Sequence, residues 1–318
     1  MNARDRLGVV IVSFNTRDLL ARCLASLDAE IRRAGLTGRS QVWVVDNASG
    51  DGSAEMVKTQ YPAIHLDALT TNLGFAAANN RLLAPWCADP EGCPDWVLVL
   101  NPDTELQPGA LETLIGALEA DPGAAMAGPA LVYPDAGMQH SAFRFPGLVQ
   151  MVLDLFPVDR LMDSRLNGRY PQAAYRQGQP FDVDFALGAC LLVRGRALAK
   201  VGAMDDGFFL YSEEVDWAKR FHTAGFRVIC VPRAVVVHHA GASTQQFRAA
   251  SLTRLWQSRL HYFAKHEPAW RRAMLGLAIR LGFGLRRRAD QLAARRGTLS
   301  ADEVKQRSQA YDAIFVRT

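Results

Sequence analysis

Three short runs carry most of the side chains that could do chemistry. Leu100-Asn101-Pro102-Asp103-Thr104-Glu105 follows the apolar run Trp96-Val97-Leu98-Val99. A short apolar run that ends abruptly in polar residues reads as a buried parallel strand opening into a crevice, where open α/β sheets hold ligands. Asp103 then sits at the rim, and a carboxylate there suits a divalent ion bound through oxygen. A polar loop capping the helix that starts near Pro108 accounts equally well for this stretch taken alone. Downstream, Glu213-Glu214-Val215-Asp216-Trp217 sets three acids within four residues at a loop-to-helix junction. A helix N-terminus stabilises carboxylates, while their mutual repulsion raises their pKa values, as a general base requires; a solvated acidic helix start is the alternative, and Asp216 could instead pair with Lys219 or Arg220. The third run, Asp46-Asn47-Ala48-Ser49-Gly50-Asp51-Gly52-Ser53, is a turn-rich loop.

The elements that must position these runs are legible from hydrophobic periodicity. Residues 7–13 form a β-branched strand, followed by Leu19, Leu20, Cys23, Leu24 and Leu27 at helical spacing. Residues 41–45 make a second buried strand, 63–69 a weaker third before a helix over 76–83, and 96–99 a fourth. Four strand–loop–helix units imply a mostly parallel sheet with helices on both faces. The loops after the strands then share one edge and bring together Ser13 and Asn15, Asp46 and Asn47, Asn72, Asn101 and Asp103. One such loop is ordinary turn chemistry; four on one edge point to a site. Further strands are expected at 181–186, 188–194, 226–231 and 234–237, and a helix at 196–201. From Phe247 onward the pattern is helical. Residues 133–180 lack clear periodicity apart from an amphipathic piece over 148–161, as in a lid, a substrate wall or a disordered loop.

Length and composition bound the rest. At 318 residues, 49% of them hydrophobic, the chain suits one large α/β domain with an appendage, or two domains. The net charge of +4 hides a basic cluster from Arg271 to Arg296 with one acid, Asp290, which points to an anionic surface. The segment 270–288 is too short and too charged to span a bilayer. It fits either an interfacial helix on anionic lipid or a bundle helix packed on the catalytic domain or on a second subunit of a homo-oligomer. Nucleic acid is disfavoured because no recognised binding module accompanies the charge. Five scattered cysteines without metal-ligand spacing read as reduced structural thiols. The charged start, running directly into a strand, lacks the features of a signal peptide, so a cytoplasmic protein is expected, peripheral on the inner face of the membrane.

Taken together, Val12-Ser13-Phe14-Asn15, Val45-Asp46-Asn47 with its loop to Ser53, Asn72-Leu73-Gly74-Phe75-Ala76 with Asn79-Asn80, Asn101-Pro102-Asp103, Gly188-Ala189 and Glu213-Glu214-Val215-Asp216-Trp217 resemble the family-2 inverting glycosyltransferases of GT-A fold. The order is consistent from about residue 7 to about residue 245, and the rhamnosyltransferase branch is the most similar. The resemblance implies a GT-A (Rossmann-like) catalytic domain over 1–245 and a basic amphipathic helical extension over 246–318. It also implies a metal-dependent hexosyltransferase that moves a sugar, L-rhamnose from dTDP-rhamnose first, from a nucleotide diphosphate to a saccharide or lipid-linked glycan in cell-surface polysaccharide synthesis. A UDP-sugar enzyme of the same family and a non-catalytic nucleotide-sugar scaffold are the alternatives. A nucleotidyltransferase is disfavoured, since Ser13-Phe14-Asn15-Thr16 is not its glycine-rich basic phosphate loop.

Residue by residue, Asp103 matches the last aspartate of the family's metal motif, with Asn101 where many members have an acid. Mg²⁺ or Mn²⁺ is the implied ion, and His238 matches a histidine that can complete its shell. Asp46 matches the acceptor for a pyrimidine imide N–H, hence dTDP- or UDP-sugars. Ser13, Asn15, Asn72, Gly74 and Asn101 would line the nucleotide sugar, with Gly74 letting backbone approach. Glu214 holds the position of the catalytic base, an aspartate in most of the family, with Glu213 and Asp216 as the other acids.

Overall fold

The computed structural model describes residues 6–240 and 248–315. Strands β1 (Leu7–Ser13), β2 (Ser40–Asp46), β3 (His65–Ala68) and β4 (Trp96–Leu100) are parallel, joined through helices α1 (Arg17–Arg33), α2 (Ser53–Gln60) and α3 (Phe75–Ala88). With the helix over Ala110–Ala120 that follows the fourth strand, these are the four strand–loop–helix units expected from the sequence. Next come β5 (Thr104–Leu106), α4 (Ala110–Ala120), β6 (Ala124–Val132), β7 (Met138–Gln139), β8 (Ala142–Phe143), α5 (Leu148–Leu155), α6 (Asp159–Met162) and α7 (Gln172–Arg176). The chain continues through β9 (Phe181–Val183), β10 (Phe185–Ala186), β11 (Cys190–Arg194), α8 (Gly195–Val201), α9 (Glu213–Thr223) and β12 (Arg227–His238). Three helices close the chain: α10 (Arg248–His266), α11 (Ala269–Arg295) and α12 (Ala301–Ala313).

The main sheet runs β3-β2-β1-β4-β11-β6-β12-β5, with β11 and β5 antiparallel to their neighbours. Alternation along the strands feeds two cores. Val10, Val12, Val97 and Val99 face the layer of α3, α8 and α9, whereas Val9, Ile11, Leu98 and Leu100 face α1 and α4. Two features depart from the periodicity. β6 is an alanine-rich run containing Gly128 and Pro129, with little β propensity of its own, and it is held by β11 and β12 on either side. The runs over 226–231 and 234–237 are one strand, β12, whose register shifts between Val231 and Val235. Pro232 falls in that irregularity, where its missing N–H removes no ladder bond.

Residues 133–180 fold into short elements on the sheet's flank. Tyr175 Oη there accepts from the Ser141 and Ala142 amides at 3.1 and 2.8 Å. The expected domain boundary at 245 lies outside the described residues. Beyond it, Trp256, Tyr262, Phe263, Leu275, Ile279 and Phe283 join the same core as Val10 and Val12, so the helical extension is built onto the catalytic half. All five cysteines are free thiols. No helix among the described residues is long and apolar enough to cross a membrane.

Candidate active site

The C-terminal ends of β1, β2 and β4, the turn before β11, the last residue of β12 and the start of α9 enclose a cleft of about 490 Å³. That volume suits a nucleotide-sized ligand. Its lining includes Asn72, Gly74, Asn101, Asp103, Glu213, Glu214 and His238, so residues more than a hundred positions apart do converge.

Asp103 is held in a tight turn. Thr104 Oγ1 donates to the Asn101 carbonyl at 2.7 Å, and the His239 amide donates to the Asp103 carbonyl at 2.9 Å. Antiparallel pairing sets His238 opposite Thr104, which brings His238 Nε2 to 3.4 Å from Asp103 Oδ1. Nδ1 of His238 lies 3.0 Å from Gln139 Oε1. Donation of Nδ1–H to that oxygen leaves Nε2 as a lone pair facing the carboxylate, the tautomer a metal ligand needs. Asn101 Oδ1 is buried without a hydrogen-bond partner. These donors fit a divalent cation, with Asp103 and His238 as protein ligands and the Asn101 oxygen beside them. Among the described residues no three His, Cys, Asp or Glu side chains form a metal cluster, so diphosphate oxygens would have to complete the shell.

The acids of α9 divide. Tyr211 and Ser212 both have left-handed backbones, φ 72° and 68°, a strained approach for non-glycine residues that aims the helix start at the cleft. Glu213 and Glu214 line the cleft, each with a buried carboxylate oxygen lacking a partner. Burial raises the Glu214 carboxyl from 4.5 to about 7, against the pull of backbone amides at the start of α9. Burial and then the neighbouring Glu214 charge hold Glu213 well above the carboxylate range. Asp216 faces away from the cleft. It is fully buried and receives Arg220 Nε at 2.9 Å, Lys265 Nζ at 2.8 Å and His266 Nε2 at 2.7 Å. Burial alone would raise its pKa, but these partners hold it below the usual value. Asp216 is therefore corrected from a candidate base to the ionic tie between α9 and α10; of the two partners weighed from sequence, Arg220 is the one found.

The nucleotide side is also rearranged. Asn72 Oδ1 accepts from Asn47 Nδ2 at 3.0 Å and from the Gly74 amide at 2.9 Å, and Asn47 Oδ1 accepts from the Leu73 amide at 2.8 Å. Asn47 thus belongs to the lining that sequence reasoning assigned to Asp46. Asp46 lies just beneath, with Oδ1 accepting from the Ser49 amide at 2.9 Å and Oδ2 buried without a partner. Ser13 does not reach the cleft: it is fully buried and shares a 3.0 Å hydrogen bond with Thr16 Oγ1. Asn15, at φ 53°, also lies outside the lining and latches the first loop to the second, its Oδ1 accepting from the Gly50 amide at 2.8 Å. Gly74 has φ 84°, and a Cβ there would stand 2.4 Å from the Phe209 carbonyl. The backbone it admits is therefore that of Phe209, whose carbonyl also accepts from the Phe75 amide at 2.7 Å.

The lining residue Arg254 escaped the sequence reading, as did Gln139 behind His238. Arg254 of α10 stacks 4.4 Å from the Phe209 ring centroid and supplies a guanidinium to a cleft otherwise rich in carboxylates. Gly188 packs on Glu214, since a Cβ there would lie 3.4 Å from its Cβ and Cγ. Gly188 appeared in a recognised motif, whereas no local pattern marks Arg254 or Gln139.

Comparison with known proteins shows the family and the fold. Residues 8–202 match glycosyl transferase family 2. The chain is 33% identical to the N-acetylglucosaminyl-diphospho-decaprenol L-rhamnosyltransferase of Mycobacterium tuberculosis (strain CDC 1551 / Oshkosh) over 295 residues, 89% of this chain and 92% of the relative. It is 27% identical to rhamnosyltransferase WbbL of Escherichia coli (strain K12) over 173 residues, 54% of this chain and 62% of that one. In fold it is similar to mannosyltransferase PcManGT from Pyrobaculum calidifontis, solved with GDP-Man and Mn²⁺, with a TM-score of 0.54, 16% identity and coverage of 98% and 86% of the two chains. Strand order, cleft and sequence likeness agree: the chain belongs to glycosyl transferase family 2 and is a glycosyltransferase of GT-A fold.

Proposed function

We propose that this glycosyltransferase moves L-rhamnose from dTDP-rhamnose, with inversion, to a hydroxyl of a lipid-linked glycan during cell-surface polysaccharide synthesis. The observation that carries the chemistry is the Glu214 carboxyl, raised to about 7 and facing the same cleft as Asp103 and His238. Such a group is poised to take a proton near neutral pH, and a scaffold that only binds nucleotide sugar has no use for it.

In the displacement, the acceptor oxygen attacks the anomeric carbon on the face opposite the diphosphate. The new C–O bond forms as the bond to phosphate breaks, the electron pair leaves with the nucleoside diphosphate, and Glu214 takes the hydroxyl proton. Asp103 and His238 would hold Mg²⁺ or Mn²⁺ with Asn101 beside them; when bound, the ion neutralises charge building on the leaving diphosphate. Arg254 adds a second cation on the α10 side. Asp46 Oδ2, buried and unpaired, would accept a pyrimidine imide N–H. That acceptor serves thymine and uracil alike, which keeps a UDP-sugar as the second reading. The sugar and the lipid-linked acceptor are supported by the resemblance to rhamnosyltransferases, one of them acting on a diphospho-decaprenol substrate.

Calorimetric titration with dTDP, UDP, GDP and CDP in the presence of Mn²⁺, followed by hydrolysis of a nucleotide-sugar panel without acceptor, tests the donor. Binding of dTDP and selective hydrolysis of dTDP-rhamnose are expected. Failure of both pyrimidine diphosphates to bind would remove the donor assignment, and preference for a UDP-sugar would select the second reading.

A further inference from the structure

Helix α11 is 27 residues long, about 40 Å at 1.5 Å per residue. One side packs inward through Leu275, Ile279, Gly282 and Phe283. On the other side Trp270, Met274, Leu277, Leu281, Leu285 and Leu292 are each more than half exposed. At 100° per residue these six side chains fall within an arc of roughly 80°, turned well away from the packed side. Helix α5 lies against α11 and leaves Val149, Val152 and Phe156 exposed as well. An apolar strip of this length on a protein surface calls for a partner.

The charges identify its chemistry. Residues 269–296 contain eight arginines and a single acid, Asp290. That acid is buried and bound by Arg307 Nη1 at 2.9 Å and the Tyr311 hydroxyl at 2.8 Å. On the helical wheel Arg271 and Arg296 flank one side of the strip, Arg280 and Arg287 flank the other, and the exposed Arg288 and Arg295 lie within it. We infer that this face of α11, extended by α5, docks on an anionic lipid surface. Leucines and Trp270 enter the acyl boundary while guanidinium groups stay at the headgroup phosphates on aliphatic stems. A second copy of the chain fits poorly, because self-association through the strip would set one arginine-rich face against another. Helix α10 joins this face to the cleft: Arg254 near its start lines the cleft, and its end leads directly into α11. Docking would thus hold the cleft at a fixed attitude to the membrane. The inference is independent of the donor and base assignments, which a soluble assay tests separately.

Full-length protein is sedimented with vesicles of phosphatidylcholine alone and of phosphatidylcholine with an equal part of phosphatidylglycerol. Binding to the anionic vesicles is expected, weaker by at least about tenfold on the neutral ones and reduced by high salt. Leu277→Glu with Leu281→Glu should weaken binding by at least about tenfold at unchanged melting temperature and unchanged donor hydrolysis in solution. Arg288→Glu with Arg295→Glu, both at exposed positions, should do the same should the leucine variant fail to fold. Absence of wild-type binding to anionic vesicles overturns the inference, as does undiminished binding by a folded variant. A wild-type dimer that ignores vesicles and is dissolved by the leucine substitutions would assign the strip to a second copy instead, and also overturns it.

Discussion

Replacing Glu214 with glutamine keeps the length and hydrogen-bonding capacity of the side chain and removes its charge and basicity. Burial lifts this carboxyl from 4.5 to about 7 in the folded protein, while the unfolded chain ionises at the ordinary value. Between those limits the folded state binds more protons than the unfolded state, so this group's contribution to stability falls as pH rises. The loss is complete above about pH 7 and absent below about 4.5. At about 1.4 kcal/mol per pH unit it amounts to roughly 3 kcal/mol, reduced toward about 2 by solvent in the cleft. Glu214→Gln escapes this penalty. Thermal unfolding followed at pH 5 through 8 should therefore show the variant more stable than wild type at pH 8 by about 4 °C or more, with the gap closing toward pH 5. Transfer should fall by about 10²- to 10⁴-fold while nucleotide affinity is retained, and wild-type kcat/KM should climb with pH through a half-maximum at about 7 to a plateau about one unit higher. A stability gap independent of pH, or a variant less stable at pH 8, would refute the buried, high-pKa description. Wild-type turnover would remove Glu214 as the base.

Three other perturbations probe how the site is held. Gln139→Leu takes away the oxygen that orients His238 and should raise the Mn²⁺ concentration for half-maximal activity by about 10- to 100-fold, with the fold intact by circular dichroism; an unchanged metal requirement would detach His238 from the ion. Gly74→Ala forces a Cβ toward the Phe209 carbonyl at a left-handed φ and should destabilise by more than about 1 kcal/mol in denaturant titration, with weaker nucleotide binding; neutral behaviour would contradict the contact. Asp216→Asn leaves Arg220, Lys265 and His266 facing one another without their shared anion and should cost on the order of 3 kcal/mol. Because the pKa of Asp216 is lowered on folding, its stabilisation is present above the unfolded value and is lost as pH falls through the folded one, so the wild-type advantage over the variant should shrink in acid.

The parallel half of the sheet was legible in the residues alone, because β1, β2 and β4 are continuous apolar runs whose ends are marked by Asp, Asn and Gly. The sequence also determined which motifs share an edge: chain order and right-handed crossovers leave little freedom once four strand–loop–helix units are recognised. Asp103 and Asn72 were placed at that edge on this basis, whereas Glu214 was marked by the run of three acids at a helix start and by the family resemblance. Tertiary structure alone decided the rest, where a role depends on the direction a side chain faces or on partners distant in sequence. Asp216 follows Glu214 by two residues, about 200° around the helix, and so joins Lys265 and His266 of α10 and leaves the cleft. Ser13 turns into the core, and Gly74 is required by Phe209 more than a hundred residues away. β6 has too few β-branched residues to announce itself and exists because two neighbours pair with it. The pairing of β12 with β5 brings His238 to Asp103, and the hydrogen bond that its Nδ1–H donates to Gln139 Oε1, fixing the imidazole, has no local signature. In helix α11 one face packs into the core and the opposite face lies open; only packed neighbours could decide which residues fell on which side.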